Sequence, residues 1–264
     1  MKIAMCQMLS EYGRPEENLS RAKEMLRDAA RQGAQLALLP ECLDLGWANP
    51  EAHEMAQPIP GAWAAEYGLY VCAGLTERDG GKLYNTAVLI DKRGKLLGKH
   101  RKINLLTEIE GSGLYSVGSK LEVFDTELGK LGIDICADNA RSSMVLGEAL
   151  CRMGAEIILS PSSWAVPAAS RRAYYGAEWY EPYGKLAKLY GVPVVGVSNV
   201  GPVTGGAWAG WKCIGNSIAL FGDGESGVTL PYGEDAVCLR IIDVPLRKDS
   251  RYGTTLATEV EAAR

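Results

Sequence analysis

Residues 2–39 read KIAMCQMLSEYGRPEENLSRAKEMLRDAARQGAQLALL. Three elements lie in this one stretch. Lys2 to Met8 carries apolar residues at period two and reads as a strand. Pro15 to Gln32 holds Leu19, Ala22, Met25, Leu26, Ala29 and Ala30 at helical spacing, and Gly33 ends the helix. Gln35 to Leu39 is a short apolar run, a buried strand stopped by Pro40. Strand, helix and strand in succession point to an α/β fold.

The same alternation continues outward. Leu69 to Leu75 reads as a strand. Tyr84 to Asp91 and Lys95 to Lys99 flank Lys92-Arg93-Gly94, a hairpin signal. Leu121 to Asp125 and Lys130 to Ile135 form a second strand pair around Gly129. Ser142 to Met153 reads as a helix and Glu156 to Ser160 as a strand. Arg171 to Tyr190 is mostly helical, with Pro182 expected to end or kink it. Val192 to Ser198, Ile214 to Phe221, Gly227 to Leu230 and Ala236 to Asp243 complete the strands. About a dozen strands exceed what one open sheet comfortably holds, so two packed mixed sheets are expected. No linker or repeat interrupts the chain. A single domain over residues 1–264 is expected, with a polar tail at 246–264.

Composition narrows the function. The 264 residues include 28 Lys and Arg against 32 Asp and Glu, a net charge of -4 without basic runs, so nucleic acid is not the expected partner. The apolar runs are far shorter than the roughly 18 residues of a membrane helix. The N-terminus has no sustained apolar segment of a signal peptide, so no membrane association and a cytoplasmic location are expected. Seven Cys occur without any CxxC, beside only two His. Disulfides, zinc and other cofactors are therefore not expected, and most of the Cys should be small buried hydrophobes.

Most standard motifs fail. Gly196-Val197-Ser198-Asn199-Val200 and Gly215-Asn216-Ser217-Ile218-Ala219 both lack the last Gly of a serine-hydrolase elbow. Gly222, Gly224 and Gly227 spell G-x-G-x-x-G, but between strands and with Asp223 and Glu225 where phosphate would sit, so a hairpin turn is the better reading.

Three segments place a reactive residue at the end of a strand, where ligands collect in α/β sheets. In Leu38-Leu39-Pro40-Glu41-Cys42, a poorly solvated Glu41 would have a raised pKa suited to a general base. Alone, it reads as readily as a solvated loop residue. In Lys99-His100-Arg101-Lys102-Ile103, one Lys could stabilise an oxyanion, or the run is a solvated basic turn. In Leu131-Gly132-Ile133-Asp134-Ile135-Cys136-Ala137-Asp138, a Cys ends a strand ahead of a helix. A nearby Lys and the helix N-terminus would lower the thiol pKa and favour thiolate, whereas the bland reading is a buried inert Cys.

Taken in order, these segments resemble the nitrilase superfamily of carbon–nitrogen hydrolases: Glu after Leu-Pro, Arg-Lys before a short apolar stretch, then Gly-x-x-Ile-Cys-x-Asp. The likeness covers nearly the whole chain, through Ser160-Pro161-Ser162-Ser163-Trp164 and the late Gly-Asn-Ser-Ile-Ala segment. It implies a four-layer αββα sandwich and a Glu41, Lys102, Cys136 triad. It also implies a second carboxylate, assigned to Glu110 with Glu108 as the alternative. Cys136 would attack an amide or nitrile carbon, with Lys102 and the Ala137 N–H at the oxyanion. The expected substrate is a small linear amide or carbamoyl compound, hydrolysed through a thioester with release of ammonia or an amine.

The sequence also departs from the family pattern. Ala137-Asp138-Asn139-Ala140-Arg141-Ser142-Ser143 stands where many members have an aromatic, Asp and an Arg-aromatic-Pro-Glu segment. Ala137, in place of the Trp of true nitrilases, points away from nitriles. Asp134 shares the strand face of Cys136 and is a candidate pocket residue. Trp164, Tyr174, Trp179 and Trp208 are candidate walls, and Arg171 and Arg172 candidate carboxylate binders. Three other readings stay open: a nitrilase or acyltransferase with the same triad, a non-turning ligand-binding scaffold, and a Cys-His hydrolase using His100 or His53. The resemblance implies a homodimer or larger homo-oligomer, with the tail as a segment that could reach a neighbour.

Overall fold

A computed structural model describes residues 1–59, 67–111, 113–170 and 176–247. In chain order its first elements are β1 (Lys2–Gln7), α1 (Pro15–Arg31), β2 (Leu36–Leu38), α2 (Ala52–Met55), β3 (Tyr70–Asp79), β4 (Lys82–Ile90) and β5 (Leu96–Arg101). Then come β6 (Val123–Thr126), β7 (Gly129–Ile133), α3 (Met144–Arg152), β8 (Ile157–Ser162), β9 (Ala165–Pro167) and α4 (Ala177–Tyr190). The last are β10 (Val194–Ser198), β11 (Val200–Pro202), β12 (Trp211–Ile214), β13 (Ile218–Leu220), β14 (Gly227–Thr229) and β15 (Cys238–Asp243).

Two six-stranded mixed sheets, ordered β15-β1-β2-β3-β4-β5 and β14-β13-β10-β8-β7-β6, form the two inner layers. In each, three parallel strands carry antiparallel neighbours on both sides. The β1 pattern shows why the sheets stack. Ile3 and Met5 enter the core shared with Leu131, Ile133 and Val195 of the other sheet, while Ala4 and Cys6 turn to the opposite face, as does Met8 just after the strand. There they meet Ala22, Leu26 and Ala29 of α1. Removing these apolar faces from water supplies the main drive for the layering. Pro15 opens α1 where its missing N–H costs nothing, Glu16 and Glu17 sit at the positive helix end, and Arg31 lies in the last turn. On the second sheet, Leu150 of α3 and Tyr183, Leu186 and Ala187 of α4 join the core. The αββα expectation holds.

Three local expectations change. Helix α4 runs through Pro182, because the burial of Tyr183, Leu186 and Ala187 outweighs the one backbone bond that proline forfeits. The expected strand over Ile214 to Phe221 is two strands. Gly215 (φ +60°) and Asn216 (φ +55°) break it, and a Cβ at Gly215 would lie 2.3 Å from the Gln7 side chain. A small sheet, β11-β12-β9, was not expected, since its strands are too short to show a period. The GDGESG segment is a turn between β13 and β14, with Asp223 Oδ1 accepting the Glu225 and Ser226 N–H groups. Leu246 packs on the core and Arg247 donates to the Cys151 carbonyl, while the rest of the tail lies outside the described residues.

Candidate active site

Glu41 follows the fully buried β2 and is itself 0% exposed. Its loop can lie against β3 because residue 74 is Gly: a Cβ there would sit 2.5 Å from the Glu41 Cα and 2.7 Å from the Pro40 carbonyl. Two bonds tie this loop to the other sheet. The Glu41 N–H donates to the Ser162 carbonyl (3.3 Å), and Ser163 Oγ donates to the Glu41 carbonyl (3.3 Å). The ends of the two sheets therefore meet at Glu41.

Lys102 directly follows β5 and is buried. Its ammonium donates to Glu41 Oε1 (2.7 Å) and to both oxygens of Glu110 (2.9 Å each). Asn85, on β4, donates through one amide nitrogen to Glu41 Oε1 (2.6 Å) and Glu110 Oε1 (3.0 Å). Trp47 Nε1 and the Leu106 N–H complete the donors to Glu110, at 3.0 and 2.9 Å. The two carboxylates thus differ. Glu110 has both oxygens occupied, whereas Glu41 Oε2 is buried and has no hydrogen-bond partner. Glu108, the alternative second carboxylate, is exposed and lines a separate depression with His53.

Cys136 follows β7 and two further extended residues. It opens a single 3-10 turn with φ +46°, an uncommon conformation for a residue with a Cβ. Its N–H donates to Ser160 Oγ (3.2 Å), and the Ser163 N–H reaches its sulfur. Asp138 staples this turn to the loop after Lys102. Its Oδ1 accepts the N–H groups of Ile103 (3.1 Å) and Asn104 (2.7 Å), and its Oδ2 accepts that of Ile135 (3.0 Å) and meets His100 Nε2 (2.8 Å). Asn104 Nδ2 adds a bond to the Ala137 carbonyl (2.7 Å). His100 bonds Asp138 through Nε2 and His53 is exposed at the other depression; neither lines the cavity at Cys136.

Electrostatics sort these groups. Burial pushes the Glu41 carboxyl up to about 7; Lys102 opposes the shift and Glu110 adds to it. Burial alone would favour a neutral Lys102 amine, but the Glu110 and Glu41 charges outweigh it and hold the ammonium well above its ordinary range. The Cys136 thiol is also raised well above its ordinary value, by burial first and the Glu41 charge second, against Lys102. This corrects the expected low-pKa thiolate. Helix α3 begins only at Met144, and burial exceeds the help from the Lys.

A cavity of about 450 Å³ opens onto Cys136. Ala137 and Trp164 line it, as the sequence suggests, and so do Trp179 and Trp208. Asp134 does not. The strand alternation that placed it beside Cys136 ends where the backbone turns at Cys136, and Asp134 is wholly buried, accepting a bond from Asn139 Nδ2 (2.7 Å). Tyr174, Arg171 and Arg172 lie outside the described residues. Sequence reasoning missed Trp47, Asn85 and the role of Asp138. An Asn inside an apolar strand, and a Trp whose N–H needs a partner when buried, are the signals that point to the first two. Among the described residues, no group of three or more His, Cys, Asp or Glu is arranged to hold a metal, and no helix is long and apolar enough to cross a membrane.

Comparison with known proteins agrees with the fold. Residues 2–252 match the carbon-nitrogen hydrolase family. A nitrilase of Pyrococcus abyssi is 35% identical over 188 residues, covering 65% of this chain and 68% of that protein. An omega-amidase of Xenopus tropicalis is 34% identical over 163 residues, covering 56% of this chain but only 58% of the omega-amidase. Among solved structures, a carbon-nitrogen hydrolase from Helicobacter pylori superimposes with a TM-score of 0.78 at 20% identity, covering 91% of this chain and 87% of that one. An amidase from Nesterenkonia sp. AN1 does so with 0.77 at 20% identity, covering 100% and 99%. A family match of this extent, on this fold, makes the chain a member of the carbon–nitrogen hydrolases, the nitrilase superfamily that its motifs resemble.

Proposed function

We propose that this protein hydrolyses the carbon–nitrogen bond of a small amide or carbamoyl compound through a thioester on Cys136. One observation carries the reading: Glu41 has one oxygen held by Lys102 and Asn85 and the other, Oε2, buried and unpartnered, in a cluster electrostatically coupled to the thiol. With the thiol pKa raised and the Glu41 carboxyl near 7, the resting pair above neutral pH is thiol and carboxylate. Oε2 is the atom that takes the thiol proton as sulfur attacks the carbonyl carbon. Lys102 and the Ala137 N–H receive the oxyanion. Lys102 can release one of its two bonds to Glu110 and stay anchored by the other. Glu41 then returns the proton to the departing nitrogen, and ammonia or an amine leaves. Glu41 then deprotonates water, which attacks the thioester carbon; the carbon–sulfur bond breaks, the acid leaves, and Glu41 returns the proton to the Cys136 sulfur. Glu110 holds Lys102 in place and balances its charge.

The omega-amidase name of one relative favours an amide and the nitrilase name of another a nitrile; Ala137 after the Cys favours the amide. The test is ammonia release from a panel of amides, carbamoyl compounds and nitriles. Turnover of some amide, lost in Cys136→Ala, is the expected result. No release from any compound, together with a Cys136 that iodoacetamide leaves unlabelled, would replace the hydrolase by a binding scaffold.

A further inference from the structure

The cavity at Cys136 has aromatic walls. Trp47 and Trp164 are 2% and 1% exposed, so neither is free to swing away. The Trp47 N–H is anchored on Glu110. The Trp164 backbone is held at both ends, its N–H by Ser198 Oγ (2.9 Å) and its carbonyl by the Ile214 N–H (3.0 Å). Each carries a second indole from the same cavity. Trp179 stacks on Trp164 with centroids 5.1 Å apart and planes at 21°, and Trp208 meets Trp47 edge-on at 5.5 Å and 70°. Trp208 is itself braced by a stack on Trp211 at 4.0 Å. Leu106, Ala137, Ala140 and Ala165 also line the cavity, with Ser142 and Ser163 as its hydroxyl groups.

The charges described at this wall are one of each sign. Among the described lining residues they are Arg141 and Glu178. The exposed Arg141 shares the carboxylate of Glu181 with Lys185, and Glu178, also exposed, accepts the Gly176 N–H at 3.1 Å. With both exposed, these two charges give a substrate carboxylate no buried partner. An aromatic ring would meet indoles already fixed in position, and binding to a preorganised apolar wall loses little side-chain entropy.

Resting on the proposed thiol hydrolysis, we infer that the amide bound here carries an aryl acyl group, with the four indoles as its specificity determinants. This separates the chain from a preference for amides that bear a free carboxylate.

The experiment compares kcat/KM for phenylacetamide, acetamide and succinamic acid on the intact protein. Phenylacetamide is expected to exceed acetamide by about tenfold or more, from the buried ring area and aromatic contact, and succinamic acid by a larger factor. Trp179→Ala should lower the phenylacetamide-to-acetamide ratio about tenfold. If that variant fails to fold, as judged by circular dichroism, Trp208→Leu at the outer wall is expected to lower the same ratio. Ammonia from acetamide or succinamic acid at rates equal to or above phenylacetamide overturns the aryl inference and leaves the hydrolase reading intact. A ratio unchanged in both tryptophan variants overturns the assignment of the indoles. Ammonia from none of the three, nor from the wider panel, removes the hydrolase reading and this inference together.

Discussion

Cys42 and Cys136 occupy almost the same backbone conformation, φ +44° and +46°, just past the ends of β2 and β7. Both are buried, and both thiols are raised well above their ordinary range by burial. They differ in what surrounds the sulfur. Cys42 Sγ faces Tyr115 Oη at 3.7 Å, and after burial the largest influences on it are the negative charges of Glu41 and Asp44. Cys136 has Lys102 within electrostatic reach, the Ser163 N–H on its sulfur, and the cavity in front of it. Strand-end position, positive φ and burial are thus shared by the proposed nucleophile and its neighbour. Glu41 acts on both thiols, so under the proposed mechanism Cys136 is set apart by its cation, the Ser163 N–H and its opening. At the end of β2 the buried group that reaches Lys102 is Glu41, while Cys42 lies in an apolar cluster.

The largest expected effect breaks the pair outright. Cys136→Ala removes the proposed attacking atom, and ammonia release should fall at least about a thousandfold. A loss of the same size in Cys42→Ala would erase the contrast.

Next in size is the base. Glu41→Gln keeps the shape of the side chain but cannot take a proton, and a loss of roughly 10²–10⁴ in kcat/KM is expected. Its pH signature is specific. The base works only when ionised, and burial places its carboxyl near 7, so kcat/KM should rise with pH through about 7 in the unaltered protein. The residual activity of Glu41→Gln should lack that limb. A limb centred near the ordinary carboxylate value would mean that Glu41 is better solvated in solution than its burial implies.

Much of this was within reach of the sequence, and the gaps have physical reasons. The stretch from Lys2 to Leu39 is read correctly because strand and helix periods are local properties. Glu41, Lys102, Glu110 and Cys136 are reached through the order of their motifs; each segment alone also fits a solvated loop or an inert thiol. Asp134 is misplaced because alternation along a strand is carried one residue pair beyond where the strand continues. Asn85 and Trp47 contact the cluster from 44 and 63 residues away from the carboxylates they bind, at Glu41 and Glu110, and no local pattern encodes such a pairing. The pKa of Cys136 is misjudged in sign because depth of burial is a property of the assembled layers.

The cluster also carries a stability prediction. Lys102→Met leaves Glu41 and Glu110 buried without their cation. Breaking a buried pair in this way costs about 3–5 kcal/mol, measurable as a fall in the urea midpoint. Adding Glu110→Gln to Lys102→Met removes one of the stranded charges and should restore part of the loss. A double variant no more stable than the single would show that the carboxylates already take up protons to relieve the site.

The smallest expected effect is the one that tests the comparison most sharply. Cys42→Ala removes one buried sulfur, its weak contact with Tyr115 Oη, and nothing that touches the ammonium of Lys102. Alanine also carries a Cβ, so the positive φ at residue 42 costs about what it does now. Stability should fall by about 1 kcal/mol. Activity should stay within about threefold, because the bonds of Glu41 to Lys102 and Asn85 do not pass through residue 42. Iodoacetamide should still label the variant at Cys136, where the cavity reaches the sulfur, and at the same rate. A slower labelling rate would mean that Cys42 helps to hold Glu41 against the nucleophile, and the two cysteines would then be parts of one device rather than a working residue and its inert counterpart.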